Sequence, residues 1–199
     1  MTFYPDERFA IFIDGANFYN TVKSLDFDID YKALLAYFRT KGRLIKAYYY
    51  TAVRENDDYS PLKPLLDWLD YNGFHVVTKA AKTFTDRDGR TRTKGDMDIE
   101  IALGMLELAP HLDHVLLFSG DGDFRAVVEA IQKQGVRVSV VSSMVGANSL
   151  LADELRRQAD HFIEIDDLEK EVGRPVRDRY EARDERSDGR GDDDDFGYD

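Results

Sequence analysis

Short apolar runs recur along the chain, and most of them are rich in aromatic and β-branched residues. The first run ends at Asp14-Gly15, a pair that favours a turn. Runs of this composition, bounded by turn residues, predict buried strands. The six predicted strands are RFAIFID (8–14), RLIKAYYYTAV (43–53), FHVVTKA (74–80), HVLLFSG (114–120), VRVSVVSS (136–143) and the short HFIEI (161–165).

Between these runs lie segments whose apolar residues recur with the spacing of an amphipathic helix. In one of them, Ser60 is expected as the N-cap, Pro61 as the first helical residue and Gly73 as the stop. The predicted helices cover residues 31–42, 60–73, 96–109, 123–135 and 148–160. Because strands and helices alternate, we predict an α/β protein with a central parallel sheet covered by helices on both faces.

The composition is that of one globular domain with a charged tail. The chain has 199 residues, of which 43% are hydrophobic, and this is enough for one sizeable core. After Val172 the aliphatic residues become rare and charges of both signs dominate. We therefore expect residues 1–172 to form the domain and residues 173–199 a disordered tail.

The same composition narrows the classes of function. Cysteine is absent, which excludes disulfides and thiolate metal sites. The first residues lack the pattern of a signal peptide, and no apolar run approaches the ~18 residues of a membrane span. We therefore expect a cytoplasmic protein without a membrane segment. The formal net charge of −12 disfavours broad attraction to phosphates, so any nucleic-acid surface must be local.

Four aspartates lie at the ends of predicted elements, at positions 14, 98, 121 and 123. In an open parallel sheet, ligand sites form beyond the carboxyl ends of the strands, so we expect these carboxylates to meet. Two like charges ~4 Å apart repel by roughly 4 kcal/mol at an effective dielectric constant near 20. The cluster therefore requires either bound protons or a cation.

A set of carboxylate oxygens suits a hard cation such as Mg²⁺ or Mn²⁺. Such an ion can acidify a water molecule and stabilise charge that develops on a phosphoryl oxygen, which favours phosphodiester hydrolysis. Asn17 and Ser119 supply short polar groups beside the acids. Taken singly, each acid also has a structural explanation: Asp123 as an N-cap, Asp98 as an acid favoured by the helix dipole, and Asp14 as a turn former.

Three segments, FIDGANFYN (12–20), KGDMDIEIALGML (94–106) and LLFSGDGDFRAVVEAIQKQGVRVSVVSS (116–143), resemble the NYN domain in its bacterial LabA-like branch, within the PIN-like nuclease superfamily. The resemblance covers roughly residues 8–165. It implies a Rossmann-like, PIN-type three-layer α/β/α fold with strand order 3-2-1-4-5, and a divalent-metal site that cuts RNA.

The resemblance also implies roles for particular residues. The acidic positions of the family fall on Asp14, Asp98, Asp121 and Asp123, with Asn17 and Ser119 as polar neighbours. Within KGDMD either Asp96 or Asp98 can be the second ligand. We choose Asp98 because it lies in the first turn of a predicted helix.

One segment is basic in an otherwise acidic protein. Residues 79–94 carry six bases against two acids, and Asp88-Gly89 is typical of a hairpin tip. We expect this segment to contact RNA phosphates, with Phe84 available to stack on a base; a solvated hairpin is the structural alternative. The predicted contacts are Lys79, Lys82, Arg87, Arg90, Arg92 and Lys94.

The residues and the resemblance together predict a metal-dependent ribonuclease that uses Mg²⁺ or Mn²⁺ and acts on RNA. The intact set of acids favours an enzyme, whereas the acidic body favours an alternative. That alternative is a weakly active or inactive regulatory module of the same fold that binds RNA or proteins. A homo-oligomer is also compatible with the sequence.

Overall fold

The computed structural model describes residues 3–54, 62–85, 91–145 and 150–174. It gives the backbone alone for Arg54 and for residues 82–85 and 91–94. The strands are β1 (Arg8–Asp14), β2 (Asp28–Ile29), β3 (Arg43–Arg54), β4 (His75–Thr85), β5 (Thr91–Lys94), β6 (His114–Phe118), β7 (Arg137–Ser142), β8 (His161–Glu164) and β9 (Gly173–Arg174). The helices are α1 (Gly15–Ser24), α2 (Tyr31–Arg39), α3 (Lys63–Tyr71), α4 (Asp98–Leu108), α5 (Arg125–Gln132), α6 (Asp153–Gln158) and α7 (Glu169–Val172).

The central sheet has seven strands in the order β5-β4-β3-β1-β6-β7-β8. Its neighbours pair in parallel except β4 and β5, which form an antiparallel hairpin. The order of the five strands that the resemblance implied is confirmed, and β8 extends the sheet beyond β7. A separate antiparallel pair joins β2 to β9.

Two hydrophobic clusters cover the two faces of the sheet. Along β1, Phe9, Ile11 and Ile13 point into one cluster, whereas Ala10 and Phe12 point into the other, as the two-residue period of a strand requires. The first cluster is completed by α1, α2, α3 and α7, and the second by α4, α5 and α6. The predicted three-layer α/β/α arrangement is therefore confirmed, with the sheet buried on both faces.

Two helices differ from the sequence-based expectation. The segment 15–24, which was not predicted to be helical, forms α1. Its two asparagines and Thr21 are weak helix formers, but the Asp14 side chain caps the helix and Phe18 and Val22 bury its inner face. The helix predicted over 148–160 begins only at Asp153. Ala152 remains extended, with its N–H donating to the Gly120 carbonyl at 2.8 Å.

Other boundaries shift by a few residues. Helix α3 begins at Lys63 behind Leu62, with Pro64 in its first turn; the Ser60 and Pro61 assignments lie outside the described residues. The predicted hairpin is confirmed by the pairing of β4 with β5, while its tip at Asp88-Gly89 also lies outside the described part. The predicted tail falls almost wholly beyond Arg174, the last residue described.

Among the residues that the structure describes, none of the helices is long and apolar enough to cross a membrane.

Candidate active site

Asp14 lies at the carboxyl end of β1, where the chain turns directly into α1. Its Oδ1 accepts a hydrogen bond from the Asn17 N–H at 3.1 Å, and its Oδ2 accepts one from the Ser119 hydroxyl at 3.2 Å. Only 8% of the residue is exposed, and this burial raises the pKa of the Asp14 carboxyl above its usual value. The side chain is therefore fixed in place from both sides.

The loop after β6 is attached to the same structure. Ser119, buried at the start of the loop, accepts from the Asp121 N–H at 3.2 Å, so one hydroxyl links Asp14 to Asp121. The Asn17 Oδ1 accepts from the Gly120 N–H at 2.9 Å. These bonds join α1 to a loop more than a hundred residues away along the chain, and they position the two acids relative to each other.

Asp98 enters the site from the first turn of α4. Its N–H donates to the Asp96 Oδ1 at 3.1 Å. Burial raises the pKa of the Asp98 carboxyl to about 7, assisted by a hydrogen bond with Asp96 and by repulsion from Asp96, Asp121 and Asp14. Asp98 therefore lies in the concentrated negative field that the sequence predicted.

These carboxylates line one cavity of about 270 Å³, which we call the acidic cavity. Its volume is close to the lower end of the ~300 to 1,000 Å³ typical of small-molecule sites, so it accommodates a small part of a polymer. The lining residues are Asp14, Ala16, Asn17, Asn20, Tyr50, Thr51, Gly95, Asp96, Met97, Asp98, Asp121 and Leu150.

The structure brings most of the predicted site residues together. Of these, Asp14, Asn17, Asp98 and Asp121 line the cavity, and Ser119 lies buried beneath Asp14. Asp123 is exposed and is not among the lining residues; its N–H donates to the Asp121 Oδ1 at 3.0 Å. Asp96 and Asp98 both line the cavity, so its lining does not choose between them.

Several lining residues were not predicted. Asn20 lies one turn beyond Asn17 on α1, and a helix prediction over 15–24 would have identified it. Tyr50 pairs with Asp14 across the sheet, so Tyr50 and Thr51 lie level with the end of β1, although β3 itself continues to Arg54. Leu150 follows β7 at a distance and carried no signal in the sequence.

The first residue of the basic segment, Lys79, contacts the backbone of Asp96, which lines the cavity. Lys79 Nζ forms a salt bridge with Glu100 Oε1 at 2.8 Å and donates to the Asp96 carbonyl at 3.2 Å. Lys79 is therefore held beside the acids by α4. The remaining predicted contacts have side chains outside the described part: Lys82, Arg87, Arg90, Arg92 and Lys94.

The chemistry of the donor set fits a hard dication, since most of the polar atoms that line the cavity are carboxylate and amide oxygens. The raised pKa of Asp98 points the same way, because a cation would relieve the repulsion among the acids. In the part of the chain that the structure describes, no three acidic or imidazole side chains are already gathered at metal-binding distances.

Comparison with known proteins gives a consistent result. The NYN domain family model matches residues 8–166. The Low amplitude and bright protein LabA of Synechococcus elongatus is 33% identical over 172 residues, spanning 84% of this chain and 88% of that protein. A Vibrio parahaemolyticus protein of unknown function, known from a crystal structure, is 30% identical in sequence, and its fold matches with a TM-score of 0.68. The match covers 87% of this chain and 100% of the Vibrio chain.

Proposed function

The chain belongs to the NYN domain family, and on that premise we propose that it is a divalent-metal-dependent ribonuclease that hydrolyses RNA phosphodiester bonds at the acidic cavity. NYN domains are part of the PIN-like superfamily of nucleases, and the three-layer architecture described above is the PIN-like fold. Family membership supports a nuclease in general. Our proposal adds the divalent metal, the residues that hold it and the RNA substrate.

The observation that carries the proposal is the convergence of unpaired acids. Asp14, Asp98 and Asp121 come from three separate elements and line one cavity. In the part of the chain that the structure describes, no Lys or Arg forms an ion pair with any of the three. Since collecting like charges costs free energy, such an arrangement is typical of a site whose ligand supplies the opposite charge.

We assign a role to each residue on this basis. Asp14, Asp98 and Asp121 would hold Mg²⁺ or Mn²⁺, which supplies positive charge for the scissile phosphate and acidifies a water molecule. Asn17 and Ser119 keep Asp14 and the loop of Asp121 in position. Asp96 lines the same cavity as Asp98 and adds to the negative charge that an ion would neutralise.

The basic segment is the proposed path of the RNA. Lys79 donates to the carbonyl of Asp96, a residue that lines the acidic cavity, and is paired with Glu100. The segment that follows Lys79 supplies positive charge in a protein of net charge −12. Replacing Arg87, Arg90 and Arg92 with alanine should weaken RNA binding and reduce its dependence on salt concentration. Unchanged binding and an unchanged salt dependence would remove this part of the proposal.

Cleavage of single-stranded and structured RNA by highly purified protein tests the activity. We expect cleavage in Mn²⁺ or Mg²⁺, none in EDTA, and a loss of roughly 100-fold or more in Asp121→Asn. Asp113→Asn is the control: it removes an acid that is paired with Arg8 where the parallel strands begin, and its cleavage per folded molecule should match the wild type. Cleavage that survives both EDTA and Asp121→Asn would contradict the mechanism.

A regulatory module is the second candidate function. The name of the LabA relative refers to low amplitude and brightness and states no enzymatic activity. The body of this chain is acidic, and the described acids are not already gathered around an ion position. RNA binding without cleavage of any substrate in either metal would favour this candidate over the enzyme.

A further inference from the structure

Leu150 is an exposed apolar side chain in a cavity where six of the lining residues are acids or amides. It lines the acidic cavity, and 41% of it is exposed. An exposed leucine beside carboxylates gains nothing from water, so its position favours a ligand that has an apolar part as well as a charged part. A nucleotide has this composition, because it joins a charged phosphate to a flat base whose faces are apolar.

The backbone holds Leu150 at this position. The Ala152 N–H donates to the Gly120 carbonyl at 2.8 Å, which fixes the segment 150–152 across the loop that carries Asp121. These two segments of the backbone approach closely: a Cβ atom added to Gly120 would lie 2.5 Å from the Leu150 carbonyl oxygen. Leu150 is therefore fixed relative to the acids by the backbone of the site itself.

More apolar surface lies at the same edge of the sheet. Met144 and Val145 follow the carboxyl end of β7, and 46% and 47% of them are exposed. The Met144 N–H donates to the Glu164 carboxylate at 2.8 Å, and the Val145 N–H donates to the Ser143 hydroxyl at 2.9 Å. Exposed apolar residues therefore lie on both sides of the connection between β7 and α6, and hydrogen bonds hold the backbone beside them.

From this geometry we propose that Leu150 contacts the base of the nucleotide whose phosphate lies at the carboxylates. The proposal rests on the function proposed above and adds a positioning residue to it. Its contact is with the face of the base and not with a hydrogen-bonding edge, so it positions the nucleotide without selecting one base over another. Removing this contact lowers affinity for a nucleotide and leaves affinity for the ribose-phosphate chain unchanged.

Equilibrium binding of two labelled oligomers tests the contact: an oligouridine, and an abasic ribose-phosphate oligomer of the same length. Leu150→Ala should weaken oligouridine binding about fivefold, since it removes apolar contact area, and should leave binding of the abasic oligomer unchanged. Leu150→Met, which keeps an apolar side chain, should restore wild-type binding. Leu103→Ala is the matched control, because Leu103 is 54% exposed on α4 and does not line the cavity.

Parallel cleavage assays separate the two proposals. Wild-type cleavage combined with equal oligouridine binding by the wild type and Leu150→Ala would overturn the base contact and leave the nuclease intact. Equal weakening for both oligomers would overturn it as well, because it would show a structural role. A Leu150-dependent difference between the oligomers without cleavage would support the contact and count against the nuclease. Failure of the wild type to bind either oligomer would contradict both.

Discussion

At the edge of the sheet where the parallel strands begin, acids are paired with bases. The Arg8 guanidinium contacts Asp113 at 2.9 Å, and Arg137 contacts Glu7 at 2.6 Å. At the opposite edge, where the strands end, Asp14, Asp98 and Asp121 line one cavity without an ion pair to any described Lys or Arg. The same sheet therefore neutralises its charges at one edge and concentrates them at the other.

The pKa values follow this difference. The Arg8 guanidinium beside Asp113 lowers the pKa of that carboxyl to about 2, whereas burial and neighbouring acids raise the pKa of Asp98 to about 7. Asp113 is neutralised by Arg8 within the protein, so this acid needs no bound ligand. The unpaired edge is explained only if something else supplies the positive charge.

Neutralising one acid in the cavity should produce the largest effect. Asp98→Asn should reduce RNA cleavage roughly 100-fold or more, and in EDTA it should leave the free energy of unfolding unchanged or raised, because repulsion among the acids is relieved. Urea unfolding and initial cleavage rates measure the two effects. A large loss of stability with unchanged activity would contradict this, because it would show that Asp98 stabilises the fold, as the acids at the opposite edge do.

The opposite edge should give the opposite result. Glu7→Gln removes the carboxylate charge from the pair with Arg137 and should lower the free energy of unfolding by about 1 to 3 kcal/mol, with cleavage per folded molecule unchanged. Glu129→Gln is the control, because its ion pair with Lys133 is exposed on α5 and its loss should change the free energy of unfolding far less than Glu7→Gln does. If Glu7→Gln lost cleavage at full stability, the claim that this edge of the sheet serves stability and not catalysis would be contradicted.

A smaller effect concerns the dependence of stability on pH. The folded pKa of Asp98 is about 7 against an ordinary value of 3.8, so the folded state binds more protons between these values. In EDTA, this residue's contribution to stability is largest near pH 4 and falls as the pH rises to about 7. The stability of Asp98→Asn relative to the wild type should therefore increase over that interval.

His114 at the paired edge should show the reverse trend. Burial lowers its pKa to about 3 from an ordinary value of 6.5, so its neutral form contributes stability above about pH 6.5 that is lost as the pH falls toward 3. The destabilisation caused by His114→Asn should consequently shrink in acid. Urea unfolding of both variants between pH 4 and 7.5 measures the two slopes, and slopes of the same sign would contradict the assignment.

The sequence predicted the sheet because its strands are apolar on both faces and end in turn residues. The strand order came from the family resemblance. The run at 8–14 is buried almost throughout, and such runs are hard to mistake. The carboxyl-end rule then predicts that Asp14 and Asp121 lie near each other. Both predictions rest on features that are visible in the sequence: a buried apolar run and the acids that directly follow such runs.

The remaining features depend on contacts that a sequence does not contain. Helix α1 has weak intrinsic propensity and is stabilised by its Asp14 cap and by the packing of Phe18. Asp121 and Asp123 are two residues apart, yet Asp121, which accepts a hydrogen bond from the Asp123 N–H, lines the cavity and Asp123 does not. Leu150 reaches the site because its segment crosses Gly120, a tertiary contact between residues thirty positions apart.

Binding of Mn²⁺ by three proteins in the absence of RNA tests the central claim most directly. The wild type should bind Mn²⁺, Asp14→Asn should bind it at least about tenfold more weakly, and Asp113→Asn, at the paired edge, should match the wild type. Asparagine can still cap α1, so Asp14→Asn should remain folded, as thermal unfolding will verify. Equal Mn²⁺ affinity in all three proteins, or weakening only in Asp113→Asn, would contradict a cation site at the acidic cavity.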